Sequence, residues 1–229
     1  MKRLEYIFED KDIIVCHKPA GMATEGARAG QMDLVSSVRN YLARKDGSKS
    51  SKPPYVGTVY RLDQPVEGVV VVCKTKQAAS DLARQIKEHK TDKYYYAVCY
   101  GVVPEEKGHL SDYLIRNLDT GLAEVTKNTA DAKKAELDYE VLWRKKGCTL
   151  LRIKLLTGRF HQIRVQMAHM GFPIVGDQKY GNAESMGLAK ELGLSNVCLC
   201  CYKFGFKHPV TKKKVSYEVE PEFLKSFDE

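Results

Sequence analysis

The feature that most constrains the fold is an alternating pattern near the middle of the chain. Segments 135–143 and 148–156 flank the turn residues Arg144-Lys145-Lys146-Gly147. In the second segment, apolar and basic residues alternate: Leu151, Arg152, Ile153, Lys154 and Leu155. Successive side chains of a β-strand point to opposite faces. The pattern therefore predicts an antiparallel hairpin with one buried face and one wet face.

The rest of the chain divides into short strands and a few helices. Strands are predicted at 6–8, 13–16, 94–103, 110–116, 123–126, 197–206 and 214–219, and around 56–72. Helices are predicted at 33–45, 76–90, 160–170 and 183–192, with a helical turn at 221–227. Segment 46–54 is predicted to be a flexible basic loop. Many strands in consecutive pairs favour an α+β fold with a mostly antiparallel sheet, and we interpret residues 1–229 as a single domain.

Composition limits the classes of protein that the chain can belong to. The net charge is +8, which permits a polyanionic partner without proving one. There is no apolar run near the ~20 residues that span a bilayer, and the first residues lack the apolar core of a signal peptide. The seven cysteines are odd in number. Free thiols in a reducing compartment are the simplest interpretation, and the predicted location is cytoplasmic.

Metal and hydrolase chemistry are disfavoured by what the motifs lack. Cys198-Leu199-Cys200-Cys201 has no second Cys or His pair at zinc-site spacing, so these cysteines are interpreted as small apolar residues of a strand. No Gly-x-Ser-x-Gly segment supports a serine hydrolase. No cluster of carboxylates supports a two-metal nuclease.

Asp63, in Tyr60-Arg61-Leu62-Asp63, is the first residue that could carry chemistry. It lies between an apolar approach and the run Val69-Val70-Val71-Val72, and Gln64-Pro65 follows it. A rigid turn beside strands predicts burial, and a buried carboxylate is costly unless a cation or hydrogen-bond donors meet it. Asp63 is therefore either a turn-capping aspartate or a nucleophile or general base held by an arginine.

Arg164 is the candidate partner for that carboxylate. On the predicted helix 160–170, it shares a face with His161 and Ala168 because residues three and four apart are neighbours. A nearby arginine lowers the pKa of a carboxylate and keeps it charged. Arg164 could equally form a structural ion pair. His161 and His169 are expected to make structural hydrogen bonds, since neither has metal-site spacing to a carboxylate.

Tyr95 is the third candidate. In a strand it faces away from Tyr94 and Tyr96. Tyrosines in strands mostly pack, but one phenol turned into a basic cleft could stack on a base or move a proton.

These segments follow the order and spacing of a known family. The matching motifs are His17-Lys18-Pro19-Ala20-Gly21-Met22, Arg61-Leu62-Asp63 with Gly68, Lys93-x-Tyr95-x-Ala97, Thr157-Gly158-Arg159, His161-Gln162-Ile163-Arg164, Gly176-Asp177, Tyr180-Gly181, and Leu199 with His208-Pro209. Together they resemble the RluA-type family of RNA pseudouridine synthases over almost the whole chain.

The resemblance implies a central mixed, mainly antiparallel sheet and the isomerisation of uridine to pseudouridine in ribosomal or transfer RNA, without cofactor or metal. It implies that Asp63 is the nucleophile, that Arg164 holds it, and that Tyr95 stacks on the target base. Arg61 and Leu199 are implied to contact the substrate, and His161 and Ile163 join them as candidate substrate-binding residues. The expected state is a cytoplasmic monomer without a separate N-terminal RNA-binding domain.

The chain departs from the family pattern at several positions. Gln64 and Glu67 stand where the family has a basic residue and a small polar one, Phe160 replaces a common threonine, and Gln166 a common histidine. These departures leave Asp63, Tyr95 and Arg164 in place. The departures from Gln64 to Glu67 keep open the alternative of a non-catalytic RNA-binding or RNA-folding module with the same fold.

Overall fold

A computed structural model describes residues 4–28, 30–45, 47 and 53–227. The contacts divide the chain into two compact units. The first unit is Met1–Asp92 with Cys201–Glu220, and the second is Lys93–Cys200 with Pro221–Glu229. Most of the predicted basic loop, residues 46 and 48–52, lies outside the described residues.

The predicted element types are confirmed, with shifts at their ends. The strands are β1 (Glu5–Glu9), β2 (Ile13–Lys18), β3 (Gly57–Thr58), β4 (Glu67–Cys73), β5 (Asp92–Tyr100), β6 (Lys107–Arg116), β7 (Ala123–Thr126), β8 (Lys133–Lys145), β9 (Cys148–Leu155), β10 (Leu199–Lys207) and β11 (Lys214–Glu218). The helices are α1 (Leu34–Lys45), α2 (Lys76–Lys87), α3 (Gln162–His169) and α4 (Ala183–Glu191), with a 3₁₀ helix at Glu222–Phe227.

Helices α2 and α3 are the ones that fall clearly short of their predicted lengths, because backbone geometry stops them. Helix α2 ends before Lys90, since His89 adopts a left-handed φ of 54° and Lys90 N donates to Gln85 O at 2.9 Å, which closes the last turn. Helix α3 begins at Gln162 because His161 has a φ of 52°. A residue in that conformation cannot belong to a right-handed helix.

In the first unit the strands run in the order β1-β2-β4-β10, with β3 paired to β4 and β11 to β10. All seven residues of β4 are buried, as the valine run predicts. One face packs against α2, where Val69, Val71 and Phe204 share a core with Ala78 and Leu82. Because α2 presents a single apolar stripe, this core fixes β4, the strand that follows the Asp63 turn.

In the second unit the strands run in the order β5-β9-β8-β6-β7, each antiparallel to its neighbours. The predicted β8–β9 hairpin is confirmed. Its turn residues Lys146 and Gly147 both have positive φ, 50° and 69°, as in the tight turns that match strand twist. The alternate residues Ala135, Leu137 and Tyr139 of β8 are buried, so the α+β, mainly antiparallel prediction is confirmed.

Gly68 marks a close approach of two strands in the first unit. Its φ is 136°, and a Cβ there would lie 2.4 Å from the carbonyl oxygen of Cys201. Only glycine adopts this conformation without strain, and the overlapping atom belongs to the backbone of β10 and not to a flexible side chain. The start of β4 therefore requires glycine.

We expect Gly68→Ala to lower the free energy of unfolding by about 2–5 kcal/mol, through backbone strain and steric overlap together. The matched control is Gly187→Ala, in the exposed middle of α4, where an added Cβ meets no atom within 4 Å. That variant should gain about 0.5–1 kcal/mol, because alanine favours the helix. Urea denaturation measures both variants, and equal stabilities would contradict the assignment of Gly68.

Candidate functional site

Asp63 lies at the first position of a turn that leads into β4. Its carbonyl accepts a hydrogen bond from Val66 N at 3.0 Å. On the other side, Leu62 exchanges two bonds with Thr24: the Thr24 hydroxyl donates to Leu62 O at 2.8 Å, and Leu62 N donates back to Thr24 Oγ1 at 3.3 Å. The backbone is thus held on both sides of the carboxylate. The side chain of Asp63 is half-buried, not buried as predicted, because a turn leaves one side open to solvent.

The side chain of the buried Lys18 is hydrogen-bonded to the same turn. Its side chain is fully buried, and Nζ donates to Met22 O at 2.7 Å and to Pro19 O and Gln64 O at 3.2 Å. Gly21 N also donates to Gln64 O, at 2.9 Å. A buried ammonium is costly unless its N–H groups are satisfied, so these carbonyls draw the loop and the turn together. Sequence reasoning saw this motif but missed the positioning role of Lys18, because lysine is usually exposed.

Arg164 makes a buried, bidentate ion pair with Asp177. Nε donates to Oδ2 and Nη2 to Oδ1, both at 2.7 Å. The two side chains are 3% and 0% exposed, and the guanidinium carbon lies 5.3 Å from the centre of the Tyr180 ring. This is the structural ion pair that the sequence left open. The predicted pair of Arg164 with Asp63 stays a prediction.

Asp177 is a residue whose role sequence reasoning missed. Its Oδ1 also accepts from the backbone N–H groups of Lys179 and Tyr180, at 3.0 and 3.2 Å. A carboxylate that binds a guanidinium and two amides is fixed in orientation, and it fixes the arginine in turn. The available signal was an aspartate directly after Gly176, thirteen positions beyond Arg164.

His161 and Ile163 lie at the start of α3, and both are buried. The Nδ1 atom of His161 lies 2.8 Å from the Tyr180 hydroxyl, which accepts from Ala123 N at 2.7 Å. The predicted structural hydrogen bond of His161 is therefore confirmed. His169 is exposed, and its ring makes no hydrogen bond within the described part of the chain, so that prediction is wrong for His169.

The remaining candidates lie on other elements. Tyr95 is buried in β5, opposite Ile153 of β9, and Leu199 is buried at the start of β10. Arg61 is exposed, and its Nη1 lies 3.1 Å from a carboxylate oxygen of Glu25. Arg61 and Asp63 belong to the first unit, and the other candidates belong to the second.

One cluster of side chains among the described residues has the composition of a metal site. The ligand atoms of Asp10, Asp12 and His208 lie within 4.8 Å of one another. However, His208 Nδ1 accepts from the backbone N–H groups of Val210 and Thr211. His208 Nε2 lies 2.9 Å from Asp10 Oδ2, a close charge contact that does not meet hydrogen-bond geometry. Burial raises the pKa of Asp10, but two backbone N–H groups and His208 bring it below its usual value. Asp10 caps the turn between β1 and β2, because its Oδ1 accepts from the backbone N–H groups of Asp12 and Ile13, both at 2.8 Å.

No helix in the described ranges is both long and apolar enough to cross a lipid bilayer.

Comparison with known proteins gives a consistent result. A family model described as RNA pseudouridylate synthase matches residues 12–169. A Zymomonas mobilis relative named ribosomal large subunit pseudouridine synthase D is 32% identical over 95% of this chain and 69% of its own length. The dual-specificity RNA pseudouridine synthase RluA of Yersinia pestis is 31% identical over 95% of this chain and 98% of its own.

A solved structure supports the fold. The human protein RNA pseudouridylate synthase domain containing 4 superimposes with a TM-score of 0.79 at 21% identity, over 97% of this chain and 91% of that one. The family model spans Asp63, Tyr95 and Arg164, the three residues proposed from the sequence for catalysis. The chain belongs to the RluA-type family of RNA pseudouridine synthases.

Proposed function

We propose that this enzyme isomerises specific uridines of a structured RNA, with ribosomal RNA as the first candidate and transfer RNA as the second. The name of the Zymomonas relative supports ribosomal RNA, and the net charge of +8 suits binding to phosphate. We further propose that it works as a monomer in the cytoplasm, without metal or cofactor. The seven buried thiols suit a reducing compartment.

The observation that carries the mechanism is the half-buried carboxylate of Asp63 on a turn whose backbone is fixed. We propose that Asp63 attacks the ribose anomeric carbon or assists detachment of the base. In this isomerisation the bond from N1 of uracil to the ribose breaks, the base rotates, a bond forms through C5, and the C5 proton leaves for N1. No atom is gained or lost, so the site has to hold the detached base.

Tyr95 and Arg164 complete the proposed catalytic group. Tyr95 stacks on the target base and takes part in removing the C5 proton. Arg164 keeps the Asp63 carboxylate charged. Its bidentate pair with Asp177 supports a rigid guanidinium. The base leaves its stack at a cost of a few kcal/mol before it reaches these groups.

We also propose roles for the four candidate substrate-binding residues. Arg61 is exposed, which suits contact with RNA. Leu199, His161 and Ile163 are buried, which suits residues that shape the uridine site and does not suit residues that bind phosphate.

The alternative of a non-catalytic module receives no support from the departures that suggested it. The Gln64 side chain donates to Gly21 O at 3.1 Å. Glu67 is buried, with one carboxylate oxygen 3.8 Å from His17 Nε2. Both residues therefore serve the scaffold around the turn, and neither substitution removes a group that the proposed reaction uses.

We expect Asp63→Asn to reduce pseudouridine formation on RNA transcripts at least about a thousandfold, because an amide cannot replace a nucleophilic carboxylate. Asp92→Asn, at an exposed position at the start of β5, is the matched control and should retain activity. Pseudouridine mapping of the transcripts measures both. Turnover that survives in Asp63→Asn would remove Asp63 as the nucleophile.

We expect Arg164→Lys to lower turnover at least about tenfold while the Kd for RNA changes by less than about twofold. Lysine keeps the charge but cannot form the two-pronged pair with Asp177. Arg152→Lys, on the exposed face of β9, is the control for a general loss of arginine. Single-turnover rates and RNA titrations separate the two effects, and equal losses in rate and affinity would contradict the assignment.

A further inference from the structure

A groove of about 520 Å³ lies within the second unit, and none of the residues that line it is among the candidates for catalysis or uridine binding. It is bordered by the end of β6, the start of β8 and the turn before α3. Three cationic side chains line it, Arg116, Lys133 and Arg159, together with the carboxylate of Asp131 and the ring of Phe160. The balance of charge favours an anionic occupant.

Phe160 is an exposed aromatic ring in a fixed position. Its side chain is 39% exposed, and its ring stacks on the imidazole of His161, with centroids 3.7 Å apart and planes inclined by 22°. The imidazole is held in turn by the Tyr180 hydroxyl, which accepts from Ala123 N. An exposed ring that is rigidly supported from beneath offers a flat face at little entropic cost, as platforms for unpaired bases do.

The charges around the ring suit a phosphate more than a protein partner. The Arg116 guanidinium lies over the Phe160 ring, with its carbon 4.6 Å from the ring centre. A base can therefore stack on that face only when this exposed side chain moves aside. Arg116 and Lys133 are exposed and make no ion pair within the part of the chain that the structure describes. Arg159 Nε donates to Lys134 O at 2.8 Å, which fixes the direction of that guanidinium. A stacking face with cations around it matches the alternation of base and phosphate along a single strand.

We propose that this groove binds one unpaired nucleotide of the RNA substrate, distinct from the reacting uridine. Its base stacks on Phe160 in place of the Arg116 guanidinium, which moves aside to meet the phosphate near Lys133. The inference rests on the proposed function in one respect: the nucleotide belongs to the RNA that the enzyme is proposed to modify. Phe160 stands where the family commonly has threonine. The exposed aromatic ring is therefore a feature of this chain and not of the family in general. A duplex cannot use it, because paired bases do not expose their faces.

The experiment compares Phe160→Leu with wild type for two fluorescein-labelled probes at low salt: a 12-nucleotide oligouridylate and a 12-base-pair RNA duplex. We expect the Kd for the oligouridylate to rise about tenfold, within the range of one base–aromatic stack. The Kd for the duplex should change by less than about twofold. Phe8→Leu, which removes an exposed ring from β1, is the matched control and should change neither Kd.

Two further variants separate stacking from folding and from charge. Phe160→Tyr keeps the aromatic face and should retain the wild-type Kd. Arg116→Gln should weaken binding of the oligouridylate and reduce the slope of its log Kd against log salt by about one. Equal effects of Phe160→Leu on the two probes, no effect on either, or no binding of oligouridylate by wild type would overturn the inference.

These titrations involve no turnover, so they separate the two proposals. If Phe160→Leu weakens binding of the oligouridylate but not of the duplex, while the wild-type protein forms no pseudouridine in any RNA, the proposed function alone is contradicted. If the wild-type protein forms pseudouridine but Phe160→Leu affects the Kd of both probes equally, only the nucleotide-binding groove is contradicted.

Discussion

The buried ammonium of Lys18 is the interaction on which the proposed nucleophile depends. Taking that charge out of water is costly, and three backbone carbonyls must converge on it to offset the cost. Two of these belong to the loop after β2 and one to the residue after Asp63. The loop and the turn therefore cannot separate without exposing unsatisfied groups. The close approach at Gly68 fixes the strand that leaves the same turn. The half-buried carboxylate proposed as the nucleophile is positioned by neighbours that take no part in the proposed reaction.

Charge serves two purposes in this molecule, according to its burial. The guanidinium of Arg164 is buried against Asp177, and each partner limits the motion of the other. Such a pair organises a site at a desolvation cost that its hydrogen bonds offset. Arg116 and Lys133 are exposed, and cations of that kind attract a polyanion at a strength that salt controls. The net charge alone does not distinguish these two groups.

Local patterns predicted the fold well, and long-range contacts account for what they missed. The alternation of apolar and basic residues predicted the β8–β9 hairpin, and the valine run predicted β4 as a buried strand. The start of α3 was predicted too early, because the left-handed backbone of His161 leaves no trace in the periodicity. Asp177 and Lys18 were missed because their roles depend on partners brought close only by folding. The burial of Asp63 was overestimated, since apolar neighbours in sequence do not cover the open side of a turn.

The central claim is that the carboxylate of Asp63 converts uridine to pseudouridine in cellular RNA. Pseudouridine mapping of total RNA from cells that lack the gene tests it most directly, with the wild-type chain or Asp63→Asn reintroduced. We expect that at least one pseudouridine is lost, that the wild-type chain restores it, and that Asp63→Asn at equal abundance does not. An unchanged map, or full restoration by Asp63→Asn, would contradict it.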